Sequence, residues 1–206
     1  KVMNTIKTAA LFLLFSAVGF NAQTLKSPDG KFEMNFQVKG GVPYYNLKYS
    51  GRTVVEDSKL GLRLQKDGEI RFAEAIEDKD HQGKNFSGGF TKASEKFASK
   101  NESWNPVLGE KKTYINNYNE LAVNLHQDEF DRDLVIKFRL FNDGLGFRYE
   151  FPEQKNLNYF VIKEEDSEID LAADMKIFWI AGDYDTQEYQ YQETKISEIP
   201  DRWQQS

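Results

Sequence analysis

The sequence contains no cysteine and only two histidines. Without cysteine there is no disulfide framework and no thiol chemistry. This absence is unusual for a small secreted domain, so the fold must rest on a core large enough to stand without covalent links. The chain also lacks a glycine-rich phosphate loop, a His-x-x-x-His pair and a Gly-x-Ser-x-Gly elbow. The local signatures of nucleotide binding, metalloprotease chemistry and serine hydrolase chemistry are therefore missing.

The chain also lacks an excess of positive charge. The 27 Lys and Arg residues are outnumbered by 33 Asp and Glu residues, which gives a formal net charge of −6. No extended Lys/Arg cluster interrupts this acidic balance, so nucleic acid and anionic membrane surfaces are not expected partners. The remaining composition, with 39% hydrophobic and 29% charged residues, is typical of a soluble globular domain with one sizeable core.

The first 22 residues have the pattern of a secretory signal peptide. Two residues precede Met3, which we interpret as the initiator, and Lys7 comes before an apolar run from Ala9 to Phe20. The run is shorter than the roughly 20 apolar residues of a membrane span. A buried N-terminal helix is the alternative, but no amphipathic period supports it. We therefore expect cleavage near Ala22 and export of the chain.

The region from Leu134 to Phe151 gives the clearest structural signal. Apolar residues alternate with polar ones from Leu134 to Leu140 and again from Leu145 to Phe151. This period of two is the signature of half-buried strands. Asn142 and Gly144 flank the position where a tight turn is expected. The pattern predicts a core hairpin without chemistry of its own.

The rest of the chain after Gln23 also reads as short strands separated by turn residues. We find no convincing helical periodicity and no internal repeat, and about ten strands at such spacing predict a β-sandwich or barrel. A polar, glycine-punctuated segment at Glu74–Gly89 predicts a long surface loop. The other strands are predicted near Phe32–Val38, Tyr45–Tyr49, Leu60–Leu64, Phe90–Phe97, Tyr114–Leu125, Tyr159–Val161 and Ile177–Ile180.

Few residues are candidates for chemistry. His81 and His126 have the context of solvated surface residues rather than ligands. Glu110 and Glu188 lie beside aromatic and turn residues, a combination common in sugar sites because rings stack on sugar faces while carboxylates accept hydroxyl protons. From spacing alone a solvated loop is favoured for both. The segment from Asp183 begins like a calcium loop but lacks the glycine and the later glutamate of that motif.

Several ordered motifs resemble the N-terminal domain of glycoside hydrolase family 97. The resemblance runs in order from about Gln23 to Ile199, nearly the whole of the chain that would remain after export. The motifs are Ser27-Pro-Asp-Gly30, Ser58-Lys-Leu-Gly61, Trp104-x-Pro-Val-x-Gly-Glu110, Asn117-Tyr-Asn-Glu-Leu121, Phe138-Arg-Leu-Phe-Asn-Asp-Gly-Leu-Gly-Phe-Arg-Tyr-Glu-Phe-Pro152 and Asp183-Tyr-Asp-Thr-Gln-Glu-Tyr189.

The resemblance implies a three-part periplasmic enzyme. Residues 23–206 would form an all-β, galactose-mutarotase-like β-super-sandwich, incomplete at its C-terminal end. A central (β/α)₈ barrel would carry the catalytic carboxylates, and a C-terminal β domain would be the third part. Such a barrel needs about 250 residues, so we expect the sequence to be a truncated reading frame. Glu188 matches the sandwich-domain ligand of a calcium ion shared with the barrel, and Glu110 has no implied role.

The resulting prediction is the N-terminal domain of an exported α-glucosidase that acts on starch-derived oligosaccharides. The choice between α-glucosidase and α-galactosidase, and between inversion and retention, depends on barrel residues. A stand-alone carbohydrate-binding sandwich remains an alternative. A mutarotase-like epimerase is another, although such enzymes use catalytic histidines, and His81 and His126 lie in unpromising contexts.

Overall fold

The computed structural model describes residues 23–64, 85–157, 160–183, 185–186 and 188–200. These ranges contain twelve β-strands, and their one helical element is a 3₁₀ turn at Ile196–Glu198. No helix within them is long and apolar enough to cross a membrane. The predicted signal peptide and His81 lie outside the described residues. The strands are β1 (Gln23–Lys26), β2 (Phe32–Lys39), β3 (Val42–Tyr49), β4 (Arg52–Lys59), β5 (Leu62–Leu64), β6 (Phe90–Trp104), β7 (Tyr114–Gln127), β8 (Arg132–Leu140), β9 (Leu145–Glu150), β10 (Ile162–Glu165), β11 (Lys176–Trp179) and β12 (Gln192–Lys195).

Two four-stranded antiparallel sheets form the body of the domain. The first has the order β1-β2-β3-β4 and the second the order β6-β7-β8-β9, so each strand pairs with its neighbour in sequence. Two smaller sheets join β5 to β10 and β11 to β12. Apart from Tyr118, the buried hydrophobic side chains of both large sheets belong to one cluster. The predicted all-β sandwich is therefore confirmed.

The core follows directly from the alternation of buried and partly buried side chains along β7 and β8. Strand β8 has the predicted period, because every second residue from Leu134 to Leu140 is fully buried while the residues between them are only partly buried. Phe138 lies at the centre, with its ring centroid 5.7 Å from that of Phe36 in the opposite sheet. Burying an aromatic or aliphatic side chain of this size stabilises the fold by about 1.5–3 kcal/mol, so this row of residues carries much of the stability.

The turns between the early strands also match the prediction. Ser50 and Gly41 adopt positive φ angles of 48° and 83° where one strand reverses into the next. At Gly41 the space is limited too, because a β-carbon there would lie 3.0 Å from the backbone nitrogen of Gly89. The Gly41 carbonyl accepts a hydrogen bond from the Phe90 amide at 2.9 Å, which joins the two large sheets at this corner.

The predicted surface loop at Glu74–Gly89 is wrong at its C-terminal end. Phe86 is fully buried, and its backbone exchanges two hydrogen bonds with Leu62, at 2.9 and 3.1 Å. Its ring packs against Phe151 and lies 4.6 Å from the Arg132 guanidinium. A single aromatic residue in a polar, glycine-rich segment forms no periodic pattern. The sequence therefore did not predict that Phe86 is buried. The part of the predicted loop before Asn85 lies outside the described residues.

Two strands were also placed imperfectly. Strand β4 was not predicted, because register shifts near Val55 and Asp57 break its alternation. Strand β6 continues past the predicted end at Phe97 to Trp104. Almost all its side chains are exposed, so only its backbone pairing with β7 defines it. It does form the edge of its sheet, as predicted.

The described residues that follow β9 from Ile162 onward attach to the two large sheets mainly through hydrogen bonds. Tyr149 accepts the Gly61 amide proton at 3.0 Å and shares a 2.7 Å hydrogen bond with Ser167. Burial raises the pKa of the Tyr149 phenol to about 12, so it stays protonated. The Tyr45 hydroxyl donates to the Glu168 carbonyl at 2.9 Å. No described side chain in β10, β11 or β12 is fully buried, so these strands are less packed than β2, β3, β7 and β8.

Two isoleucines test this account of the core. Ile136→Val should lower the free energy of unfolding by about 0.5–1.5 kcal/mol, because Ile136 is fully buried and the lost methylene leaves a small cavity. Ile115→Val is the matched control, since Ile115 is 74% exposed and its truncation should change stability by less than about 0.5 kcal/mol. Denaturant unfolding measures both, and equal losses would contradict the assignment of the core.

Candidate metal site

The connection between β11 and β12 carries the carboxylates of the last sequence motif. Asp183 organises it: one carboxylate oxygen accepts the Asp185 amide proton at 2.8 Å, and the other accepts the Tyr189 hydroxyl proton. The Thr186 hydroxyl oxygen accepts the Glu188 amide proton at 3.1 Å. Short-range bonds of this kind favour turns over strand, so the sequence folds here into a loop held by its own polar side chains.

The electrostatics of this loop centre on Asp183. Hydrogen bonds from the Tyr189 hydroxyl and then from the Asp185 amide lower the pKa of Asp183. The same tyrosine bond raises the pKa of Tyr189. Asp183 therefore acts as an internal acceptor that shapes the loop.

Glu188, the predicted calcium ligand, lies on the surface of this loop. Its side chain is exposed, and no group among the described residues donates a hydrogen bond to its carboxylate. The described residues contain no group of three or more His, Asp or Glu side chains arranged to hold a metal ion. Calcium takes about 6–8 oxygen ligands, of which one glutamate supplies at most two. Glu188 therefore does not form a complete calcium site with the other described residues.

Glu110 lies at the tip of the β6–β7 hairpin, in a different sheet. The rings of Trp104 and Tyr114 stack with centroids 5.6 Å apart below this tip, and the Thr113 hydroxyl donates to the Asn105 amide oxygen at 2.8 Å. The Glu110 side chain is exposed, in agreement with the solvated loop favoured by the sequence.

His126 was interpreted as a solvated surface residue, and this description is incomplete. Only 28% of its side chain is exposed, and its Nδ1 atom lies 2.8 Å from the Asp133 carboxylate across the β7–β8 pair. Its Nε2 atom lies 3.6 Å from Asp128 and 4.0 Å from Asp131, both in the adjoining turn. The hydrogen bond with Asp133 is the main reason why the pKa of His126 is raised. This histidine is a structural ion-pairing residue.

The sequence places aromatic residues near Glu188 but does not indicate that Phe178 and Tyr191, on either side of its loop, are both exposed. The run Ile177–Ile180 is apolar without interruption, so it does not indicate which side chains point outward. Only the register of β11 against β12 separates the two faces.

Residues 25–206 match the family model described as Glycosyl-hydrolase 97 N-terminal. The chain belongs to the N-terminal domain family of glycoside hydrolase family 97. This membership confirms the resemblance seen in the sequence motifs. The matched family is described as the N-terminal part of a glycosyl hydrolase.

Solved family 97 structures share the fold of this domain. A Glycoside Hydrolase Family 97 enzyme from Pseudoalteromonas sp. strain K8 in complex with panose is 26% identical, with a TM-score of 0.69, over 84% of this chain and 24% of that one. The same figures hold for its complex with acarbose. A beta-arabinopyranosidase, 19% identical with a TM-score of 0.62 over 78% of this chain and 23% of that chain, shares the fold alone. The family 97 domain described here thus spans about a quarter of the length of these structures.

The surroundings of His126 predict how the stability of this family 97 domain depends on pH. Its pKa is raised from the ordinary value of 6.5 in the folded state, so protonated His126 stabilises the fold. That stabilisation is complete below pH 6.5 and is lost as pH rises through the raised folded pKa. The wild-type protein should therefore be more stable to unfolding than the His126→Gln variant at about pH 5.5 but not at about pH 8.5.

Denaturant unfolding of both proteins at the two pH values measures this difference. Added salt should reduce it, because the pairs are partly exposed. An NMR titration of His126 that gave a pKa at or below 6.5 would contradict the prediction.

Proposed function

We propose that this chain is the N-terminal, carbohydrate-associated domain of an exported α-glucosidase. The parent enzyme would hydrolyse α-glucosidic bonds in starch-derived oligosaccharides. Within it, the sandwich would pack on a catalytic (β/α)₈ barrel and contribute one ligand to a calcium ion at the boundary of the two domains.

The solved relatives support the substrate class. The Pseudoalteromonas enzyme was solved with panose and with acarbose, and panose is an oligosaccharide of α-linked glucose. The observation that carries the proposal is the family match over residues 25–206 combined with these sugar complexes. A family 97 hydrolase that binds α-linked glucose oligosaccharides favours α-glucosidase activity over action on other sugars.

In the proposed enzyme, the catalytic residues belong to the barrel. Glycoside hydrolysis uses a protonated carboxyl group that donates to the leaving oxygen and a second carboxylate that activates water or attacks the sugar. Both would belong to the barrel, so this domain alone is proposed to be inactive. The separation of those two carboxylates would decide between inversion and retention.

The role proposed for Glu188 follows from its chemistry. Glu188 has an exposed carboxylate with no hydrogen-bond donor among the described residues, so it can offer both oxygens to a hard cation. Asp183 differs, since it accepts hydrogen bonds from Asp185 and Tyr189. Calcium bound between the domains would polarise groups beside the substrate. The contribution of this chain would be to hold the Glu188 backbone in place through the Thr186 bond.

The proposed enzyme acts outside the cytoplasm. The basic and apolar pattern of residues 1–22 supports export with cleavage near Ala22. The periplasm is the proposed location, since starch-derived oligosaccharides would be met there before uptake.

Replacement of Glu188 tests the proposal. In a polypeptide where this domain is followed by the family barrel, Glu188→Gln should weaken calcium affinity and α-glucosidase activity together, because the amide keeps one oxygen but loses the charge. In residues 23–206 alone the same change should alter little, and stability should move by less than about 0.5 kcal/mol at this exposed site. Calorimetric calcium titration and turnover of an aryl α-glucoside measure these effects.

Glu129→Gln is the matched control, because Glu129 is also an exposed glutamate but lies in the turn after β7. It should leave calcium affinity unchanged in both polypeptides. Unchanged calcium binding after Glu188→Gln would remove Glu188 from the site. Tight calcium binding by the domain alone would contradict a shared site.

A further inference from the structure

The most exposed large hydrophobic side chains of the described residues lie at the tip of the β6–β7 hairpin. This tip comprises residues 105–113, which connect Trp104 to Tyr114, the last pair of the β6–β7 ladder. Val107 is 99% exposed and Leu108 is 89% exposed. A segment that lay flat on the domain would turn at least one of two consecutive side chains towards it. The tip therefore protrudes into solvent.

The tip has a defined conformation. The Trp104 and Tyr114 rings stack at its base with an interplanar angle of 15°, and a side-chain hydrogen bond of 2.8 Å joins its two ends. Gly109 lies close to this base, because a β-carbon there would be 3.6 Å from Pro106 Cγ and 3.8 Å from the Tyr114 hydroxyl. The two aliphatic side chains are thus held outward by a folded loop.

We propose that Val107 and Leu108 dock into an apolar pocket on the remainder of the parent hydrolase. The hairpin tip would then be one of the contacts that join this domain to the catalytic barrel. The inference rests on the proposed function, because the barrel belongs to that proposal. It also gives a role to the motif Trp104-x-Pro-Val-x-Gly-Glu110, to which the proposed function assigns none.

The shape of the tip indicates a protein partner. Sites for sugars and other small ligands are concave, whereas Val107 and Leu108 extend from the domain and have no polar atom in their side chains. One face of the Trp104 ring is covered by Tyr114. A protruding pair of aliphatic side chains is complementary to an apolar pocket, where burial removes both from water.

The small size of the tip indicates that the pocket belongs to the same polypeptide. Each partner in a stable complex of separate proteins buries roughly 800 Å², much more than two aliphatic side chains supply. A second copy of this domain is a poor candidate for the same reason. Within one polypeptide a small contact suffices, because the linkage gives the two domains a high effective concentration. The Pseudoalteromonas relative contains enough further chain for such a contact, since the present chain matches 24% of it.

A membrane surface fits the tip less well. Lys111 and Lys112 could approach anionic lipids, but Glu110 separates them in sequence from the apolar pair, and the whole chain has a formal net charge of −6. Insertion of Val107 and Leu108 into lipid would bring the Glu110 carboxylate to a surface where it loses hydration. At the rim of a protein contact the three charged side chains would stay in water.

Photo-cross-linking tests the proposal in a polypeptide where this domain is followed by the family barrel. With p-benzoylphenylalanine in place of Leu108, irradiation should join the tip to a peptide from beyond Ser206 of the same molecule, as identified by mass spectrometry. The same photoreactive residue in place of Glu129, which is exposed in the turn after β7, is the control and should not form that cross-link. The irradiation is repeated with added vesicles of phosphatidylethanolamine and phosphatidylglycerol.

Hydrogen exchange measures the contact without a bulky probe. The amides of Val107, Leu108 and Gly109 should exchange at least about tenfold more slowly in the long polypeptide than in residues 23–206 alone. Combined Val107→Ser and Leu108→Ser substitutions should abolish this difference. They should leave the circular dichroism of residues 23–206 unchanged, because both side chains are exposed. Ile169→Ser is the matched control, since Ile169 is an exposed aliphatic residue between β10 and β11, and it should keep the protection.

The outcomes separate the docking site from the proposed function. Cross-links that form only between two copies, only with lipid or not at all would overturn the docking site. Equal exchange of the tip amides in the two polypeptides would overturn it as well, and so would loss of their protection in Ile169→Ser. None of these results changes whether the long polypeptide hydrolyses an aryl α-glucoside. A long polypeptide that forms the predicted cross-link without such hydrolysis would support the docking site while contradicting the proposed function.

Discussion

Burial of apolar side chains between two four-stranded sheets is the constraint on which the rest of this structure depends. The chain has no disulfide, and the short pairings of β10, β11 and β12 bury no complete side chain. The inner faces of β2, β3, β7 and β8 therefore have to supply the stability. Their residues form one continuous cluster, in which Phe138 contacts the rings of Phe36, Tyr45 and Phe147.

This distribution of burial explains where the candidate chemistry lies. A packed core leaves no room for substrate, and its residues are fixed by packing rather than by charge. Glu188, Phe178 and Tyr191 all lie between Lys176 and Pro200, where none of the described residues is fully buried. There an exposed carboxylate and two exposed rings are held by hydrogen bonds within one hairpin and its loop. Such exposure would destabilise a core strand, but outside the core it leaves these side chains accessible to a ligand.

The sequence predicted the regular part of this fold because regular strands have a regular pattern. Alternation located β2, β3, β7, β8 and β9 with small errors at their ends. It failed at β4, where bulges break the period, and at Phe86, a single anchor whose burial depends on distant residues. Burial in a sandwich is a property of two sheets together, so a local pattern cannot report which isolated aromatic residue lies between them.

The candidate site was predicted in a different way. Spacing alone favoured a solvated loop for Glu188, and only the resemblance to family 97 singled it out. The structure places it on an exposed loop without two further metal ligands among the described residues. The pairing of His126 with Asp133 could be expected only after β7 and β8 were in register. Likewise, the outward direction of Phe178 depends on the register of β11 and β12, which an unbroken apolar run does not encode.

Native-state hydrogen exchange across a denaturant series tests the central claim most directly, because it reports the opening free energy of each strand. Amides in β7 and β8 should exchange only through global unfolding, so the denaturant dependence of their opening free energy should equal that of the whole domain. Amides in β11 and β12 should exchange through local opening that depends little on denaturant. Equal protection of the hairpin and the central strands would contradict the claim that stability resides between the two large sheets.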